Sequence, residues 1–322
     1  MTVTPHVALV AVDWGTSHLR VWALGADRSV LGMRRSDEGM GATPCDRFAA
    51  ILESHLEALG VAPDVPVVMC GMVGSRQGWA EAGYLPVPTD LGEIAVRAVR
   101  VPAHRRDIRI LPGLSHTDSK HPDVMRGEET QLLGLARRRF AAGRGARMVC
   151  MPGTHSKWVR QDGLRVEGFA SFMTGDTFSA LSAHSVLRHS VGPDATAVDA
   201  ASPDFRLAVA ASLEAPSAIL ARLFSIRSAG LLQGLSPNAA RARLSGYLIG
   251  QEIAGARARF AIGDTVELVG GGVLGELYAA ALACAGIGAN LHDGDELVIY
   301  GLADAASQIW TLDAPRLTEQ ET

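Results

Sequence analysis

Apolar positions change period several times along the chain. Residues 7–12, VALVAV, form a β-branched run that ends at Asp13-Trp14-Gly15-Thr16, and an alternating stretch around Leu19, Val21 and Ala23 follows before the turn Gly25-Ala26-Asp27. That pattern predicts a hairpin with a polar tip at its first bend. Phe48, Ile51, Leu52, His55, Leu56 and Leu59 then recur at helical spacing between Thr43-Pro44 and Gly60, as an amphipathic helix requires. A strand over 66–69, a helix over 89–99, a strand over 107–111 and a helix over 127–140 come next, the last with Leu132, Leu133 and Leu135 on its apolar face. Alternating strands and helices place the chain in the α/β class.

The segment Gly143-Arg144-Gly145 breaks the composition, and a new apolar strand runs over 148–151. The second half opens as the first does. Val12-Asp13-Trp14-Gly15-Thr16-Ser17 aligns with Cys150-Met151-Pro152-Gly153-Thr154-His155 at a constant offset of 138 residues, with a strand on either side of the Gly-Thr in both copies. The expectation is two duplicated domains, 1–143 and 144–322, facing one cleft, with the last helix able to pack back on the first. Helices dominate from 177 to about 261, one of them started by Ser236-Pro237, a cap and a first-turn proline. The last clear unit is a strand over 266–269, the turn Gly270-Gly271-Gly272, and a helix carrying Leu274, Leu277, Ala281 and Cys284.

With 322 residues and 48% apolar content the chain can fill two cores, which excludes disorder. Its 30 basic and 34 acidic residues leave a net charge of −4, too little bias for a nucleic-acid partner. Cys45, Cys70, Cys150 and Cys284 form no CxxC pair and read as buried reduced thiols. The longest uncharged apolar stretch, residues 277–291, spans 15 residues and is broken by Gly286, Gly288 and Asn290, short of the roughly 20 a bilayer requires. The N-terminus lacks a signal-peptide pattern, so a cytoplasmic protein without membrane partners is expected.

The candidate chemistry sits at the turns. A Gly-Thr bend offers bare backbone N–H donors and a hydroxyl, a nest suited to phosphate, although a plain hairpin turn has the same composition. Two matched turns favour a clamp on a polyphosphate. Asp13 ends an apolar strand where an unpartnered carboxylate is costly, and it either holds Mg²⁺ through water or caps its own turn. Met151 takes its place in the second copy. Gly270-Gly271-Gly272 brings backbone and a helix N-terminus to a ligand, or relieves crowding between strand and helix; it lacks dinucleotide spacing. Glu128 and Glu129 stand where a helix starts, either capping it or turning one carboxylate outward as a base. His155 and Lys157 flank the second turn, where they meet phosphate charge or are simply solvated or core-bonded. Gly74, Ser75 and Arg76 with Trp79 make a glycine-rich loop suited to a polyol, or a loop packed under its own tryptophan.

In order, these motifs resemble the first phosphate, connecting, second phosphate and adenosine motifs of the superfamily of acetate and sugar kinases, Hsp70 and actin. VAVDWGTSHLRVW, MCGMVGSRQGW, VMRGEETQLLG, VCMPGTHSKWV and LVGGGVL are more specifically similar to the 2-dehydro-3-deoxygalactonokinase family, over residues 9 to about 301. The resemblance implies two ribonuclease-H-like domains, mixed sheets flanked by helices, around an ATP-binding cleft. It implies an ATP- and Mg²⁺-dependent kinase phosphorylating the 6-hydroxyl of a 2-keto-3-deoxy sugar acid in galactonate catabolism. Asp13, Gly15, Thr16 and Ser17 then match the first phosphate motif, Gly153 and Thr154 with His155 and Lys157 the second, and Gly270, Gly271 and Gly272 the adenosine motif. Glu128 falls where related kinases carry a catalytic aspartate, with Glu129 and Asp176 as alternatives. Arg76 and Arg126 are candidates for the substrate carboxylate, because a guanidinium grips it at two points. The rivals are a kinase for 2-keto-3-deoxygluconate or a neutral hexose, and a partner-driven ATPase module. A homodimer is left open as the assembly.

Overall fold

A computed structural model describes residues 6–139, 145–192 and 196–310. They fall into two compact units. Unit 1 comprises the described residues of 1–144, Gly163–Val166 and the chain from Asp295 on; unit 2 comprises Gly145–Asp162 and Glu167–Gly294.

Unit 1 contains β1 (Val7–Trp14), β2 (Leu19–Gly25), β3 (Val30–Ser36), α1 (Phe48–Ala58), β4 (Val67–Cys70), β5 (Tyr84–Pro86), β6 (Thr89–Asp90), α2 (Glu93–Val96), β7 (Val99–Arg100), β8 (Ile108–Ile110), β9 (Gly113–His116), β10 (Asp123–Met125) and α3 (Glu128–Arg139). Its main sheet runs β3-β2-β1-β4-β8-β7, with β1 antiparallel to β2 and parallel to β4. Val10, Val12, Val67 and Met69 are sealed in the core, because central strands of such a sheet are covered on both faces and read as continuous apolar runs. α1 lays Phe48, Leu52 and Leu56 on that core, as its spacing predicts.

The helix expected over 89–99 is corrected. Thr89–Asp90 is a strand and only Glu93–Val96 is helical. Asp90 Oδ1 accepts from the Gly92 N–H at 2.8 Å, and this local turn competes with helix entry.

Unit 2 opens with β11 (Arg147–Met151), β12 (Ser156–Asp162) and β13 (Arg165–Phe172). Helices follow: α4 (Thr174–His184), α5 (Arg188–Val191), α6 (Pro203–Glu214), α7 (Ile219–Gln233) and α8 (Pro237–Arg259), then β14 (Thr265–Val269), α9 (Gly272–Cys284) and β15 (Gly288–His292). Ser236 caps α8 by accepting from the Ala239 N–H at 3.3 Å. The sheet runs β15-β14-β11-β12-β13, with β11 antiparallel to β12 and parallel to β14. The first residues of β13 belong to unit 1, where they pair with β6. Each unit therefore builds an antiparallel hairpin onto parallel strands in the same order.

α10 (Gly294–Ile309) returns to unit 1 and crosses α3, with Arg137 Nε 3.0 Å from Asp304 Oδ2. Cys70 and Cys150 are buried thiols as expected, whereas Cys45 and Cys284 are exposed. Among the described residues no single helix is long and apolar enough to cross a membrane.

Candidate active site

Hairpin register places Arg20 directly opposite Asp13 at the end of β1. Arg20 Nη2 donates to Asp13 Oδ2 while its Nη1 donates to Asp295 on α10, so one guanidinium bridges two carboxylates. Burial pushes the Asp13 carboxyl above its ordinary range against the pull of Arg20. Gly71, just past β4, has φ +92°, and a Cβ there would press on the Trp14 carbonyl and Asp13 Oδ1. Gly127, at φ +108°, lies against Gly71 in turn. These two glycines let α3 start beside the Asp13 strand end.

Both acids of the α3 start bend back on the backbone before them. The Arg126 N–H donates to Glu128 Oε2 at 3.0 Å, and the Gly127 N–H donates to both Glu129 oxygens at 2.9 and 2.7 Å. The capping role therefore holds for both, but their surroundings differ. Glu129 is fully buried, and burial with the Glu128 charge raises its pKa to about 8. Glu128 is only half-buried.

Arg126 lies with its guanidinium 4.3 Å from the Tyr84 ring centroid, and its Nη2 donates to the Gly83 carbonyl at 3.2 Å. Its Nε and Nη1 are buried without a hydrogen-bond partner, beside Gly74. Such donors are costly to leave unmade, and a guanidinium N–H donates strongly to a carboxylate. The rest of the predicted loop is arranged differently. Ser75 is buried with its Oγ 3.3 Å from Met40 Sδ, and Arg76 is exposed, 3.8 Å from Glu81. Trp79 stacks on Phe48 at 6.1 Å and meets Trp14 edge-on, which is the self-packed arrangement of that loop. Gly74 and Arg126 are thus brought together, while Arg76 is exposed and Trp79 packs on Phe48 and Trp14.

At the first Gly-Thr bend, Thr16 and Ser17 are exposed. The bend is pinned by the Met40 N–H on the Gly15 carbonyl and the Gly41 N–H on the Thr16 carbonyl, each at 2.9 Å. In unit 2, Thr154 and His155 are likewise exposed, whereas Lys157 is buried and donates to the His155 carbonyl at 2.8 Å. α4 starts against this bend: the Asp176 N–H donates to the Thr154 carbonyl at 3.0 Å, and Gly175 lies close over Gly153. Gly153, Gly271 and Gly272 have open space where a side chain would stand. Gly270 donates its N–H to the His292 carbonyl at 3.0 Å. The side-chain positions of Gly153, Gly271 and Gly272 are therefore open to an approaching ligand.

Among the described residues no group of three or more His, Cys, Asp or Glu is arranged for a metal ion. Asp13 fits Mg²⁺ as a single hard oxygen ligand, since that ion retains several waters. Arg20, Asp295, Gly71 and Tyr84 escape the sequence reading. Arg20 was legible from hairpin register opposite Asp13, but Asp295 lies 275 residues further along the chain.

A family model described as 2-keto-3-deoxy-galactonokinase matches residues 13–305. A protein of Rhizobium meliloti (strain 1021) named as a 2-dehydro-3-deoxygalactonokinase is 51% identical, covering 97% of this chain and all of its own. The Escherichia coli (strain K12) 2-dehydro-3-deoxygalactonokinase is 34% identical, covering 93% of this chain and 98% of its own. A crystal structure from Sinorhizobium meliloti, titled for the same activity, superposes with a TM-score of 0.90 at 50% identity, covering 94% of this chain and 99% of its own. With both phosphate-type bends, the Gly-Glu helix start and the triple glycine inside the matched span, the chain belongs to the 2-keto-3-deoxy-galactonokinase family.

Proposed function

We propose that this chain transfers the γ-phosphoryl group of ATP to the 6-hydroxyl of 2-keto-3-deoxygalactonate in the cytoplasm. One corner carries the reading: Arg126, with two buried N–H donors and no partner for them, is two residues from the half-buried carboxylate of Glu128. A cation for the acid end and a base for a hydroxyl are what a sugar-acid kinase requires.

The Arg126 guanidinium receives the substrate carboxylate as a charge-assisted hydrogen-bond donor. Glu128 orients the acceptor hydroxyl and takes its proton. Glu129 is unsuited to that role, because it is sealed from solvent and retains its own proton at neutral pH. The backbone N–H groups at Gly15-Thr16-Ser17 and Gly153-Thr154, with His155, meet the phosphates, Lys157 supports the second bend through the His155 carbonyl, and Gly270–Gly272 accept the adenosine. Asp13 would hold Mg²⁺ through water. When bound, Mg²⁺ neutralises charge on the phosphoryl oxygens. Because the transition state of such transfers is loose, positioning contributes more than basicity.

The test is ADP release with Mg-ATP against 2-keto-3-deoxygalactonate, 2-keto-3-deoxygluconate, galactonate, glucose and no acceptor. Turnover on the first alone is expected. Equal turnover on the gluconate epimer would remove the substrate assignment, and release without acceptor would mark a partner-driven ATPase.

A further inference from the structure

Glu252 sits on α8, away from every predicted site residue in sequence, and is 2% exposed. A carboxylate in that position is costly unless each oxygen is satisfied. Oε1 accepts from Trp158 Nε1 at 2.8 Å; Oε2 accepts from Tyr278 Oη at 2.6 Å and from Thr174 Oγ1. With the Tyr278 proton committed to Glu252, the 2.8 Å contact between Ser156 and Tyr278 has the serine as donor.

The donors come from elements that meet the two nucleotide bends. Ser156 and Trp158 open β12, directly after Gly153-Thr154-His155. Thr174 opens α4, whose next residues press on that bend through Gly175 and through the Asp176 N–H. Tyr278 lies on α9, which starts at Gly272. We infer that Glu252 is a positioning residue for ATP, a buried tie that holds the Gly153-Thr154 bend and the Gly270–Gly272 bend in one rigid cradle. An apolar side chain of similar volume would fill this space at less cost in desolvation, so the network contributes a defined geometry more than stability. The inference rests on the reading that these two bends hold the nucleotide.

The experiment compares steady-state KM values for ATP and for 2-keto-3-deoxygalactonate in Thr174→Val, Thr174→Ser and Tyr278→Phe, with thermal melting as the check on folding. Thr174→Val and Tyr278→Phe should each raise the ATP KM about tenfold, equivalent to about 1.4 kcal/mol, and leave the sugar-acid KM within about twofold. Thr174→Ser, which retains the hydroxyl, should keep the wild-type value. The double variant Thr174→Val with Tyr278→Phe should fall short of the product of the two effects, because both act through one carboxylate. A purely structural role would lower the melting temperature and shift both KM values or neither, and that result overturns the inference. Gly153→Ala separates this failure from failure of the underlying reading. If it raises the ATP KM while the Thr174 and Tyr278 variants do not, the bends hold ATP and Glu252 does not position them. If Gly153→Ala also leaves ATP affinity unchanged, both are overturned.

Discussion

The hairpins that open the two units share sheet order and strand direction, yet different chemistry stands at their strand ends. In unit 1 the strand carries Asp13 one residue before its end, opposite Arg20, with Glu128 and Glu129 starting a helix nearby. In unit 2 the matching strand ends in Met151, opposite Lys157, and the buried carboxylate Glu252 is tied up by three donors. The glycines differ in the same sense. Gly71 in unit 1 is packed against backbone, whereas Gly153, Gly271 and Gly272 in unit 2 face open space. The shared sheet plan thus carries an Arg20-paired carboxylate in one unit and glycines with open side-chain positions in the other. Function follows the residues placed on the scaffold rather than the scaffold itself.

The largest expected break in this comparison is Glu128→Gln, which should lower kcat by about 10²–10⁴ while ADP binding measured by calorimetry stays at the wild-type level. Near-normal turnover would move the base to Asp176. Arg126→Ala should come next, raising the sugar-acid KM about 100-fold, as loss of a charged hydrogen-bonding pair does, with little change in the ATP KM. An unchanged sugar-acid KM would remove Arg126 from the site. The glycine contrast predicts a smaller, divided effect. Gly71→Ala should cost about 1–3 kcal/mol of stability, because its φ of +92° and its crowding both oppose a side chain. Gly153→Ala should leave the melting temperature in place and act on the ATP KM. If both alanines behave alike, the distinction between packed and open glycines fails.

Much of this contrast was legible in the sequence, for reasons that show where sequence reading stops. Strand runs, the α1 stripe and both Gly-Thr bends are local patterns, and backbone periodicity writes them directly into residue order. The offset of 138 residues between the two bends anticipated the repeated sheet plan. Choosing between Glu128 and Glu129 required burial, which depends on how α3 lies against Gly71 and the strand ends of unit 1. The loop carrying Trp79 read equally as a polyol loop and as one packed under its own tryptophan, because the partners that decide it, Phe48 and Trp14, are distant in sequence. Glu252 was invisible because a lone glutamate inside a long helix carries no spacing signal. Its meaning comes only from Trp158, Thr174 and Tyr278 converging on it.

The buried acid of unit 1 provides a further test, through pH. The Glu129 pKa is raised from 4.5 to about 8 by its surroundings, so the folded state retains a proton that the unfolded chain has already released between those values. Below pH 4.5 both states are protonated and burial carries no ionisation cost. As pH rises from there the fold loses stability from this group, and the loss levels off above about pH 8. Glu129→Gln removes the proton but keeps the size and an acceptor for the Gly127 N–H. Its melting temperature relative to wild type should therefore climb from pH 5 to pH 8 and flatten beyond. Burial also raises the Glu252 carboxyl above its ordinary range, against the pull of Thr174, Tyr278 and Trp158, so Glu252→Gln should show a pH trend of the same sign, on top of the loss from an amide N–H₂ facing groups that already donate. Parallel pH curves for wild type and Glu129→Gln would mean that Glu129 is ionised in the fold, and the separation of roles between Glu128 and Glu129 would fall with it.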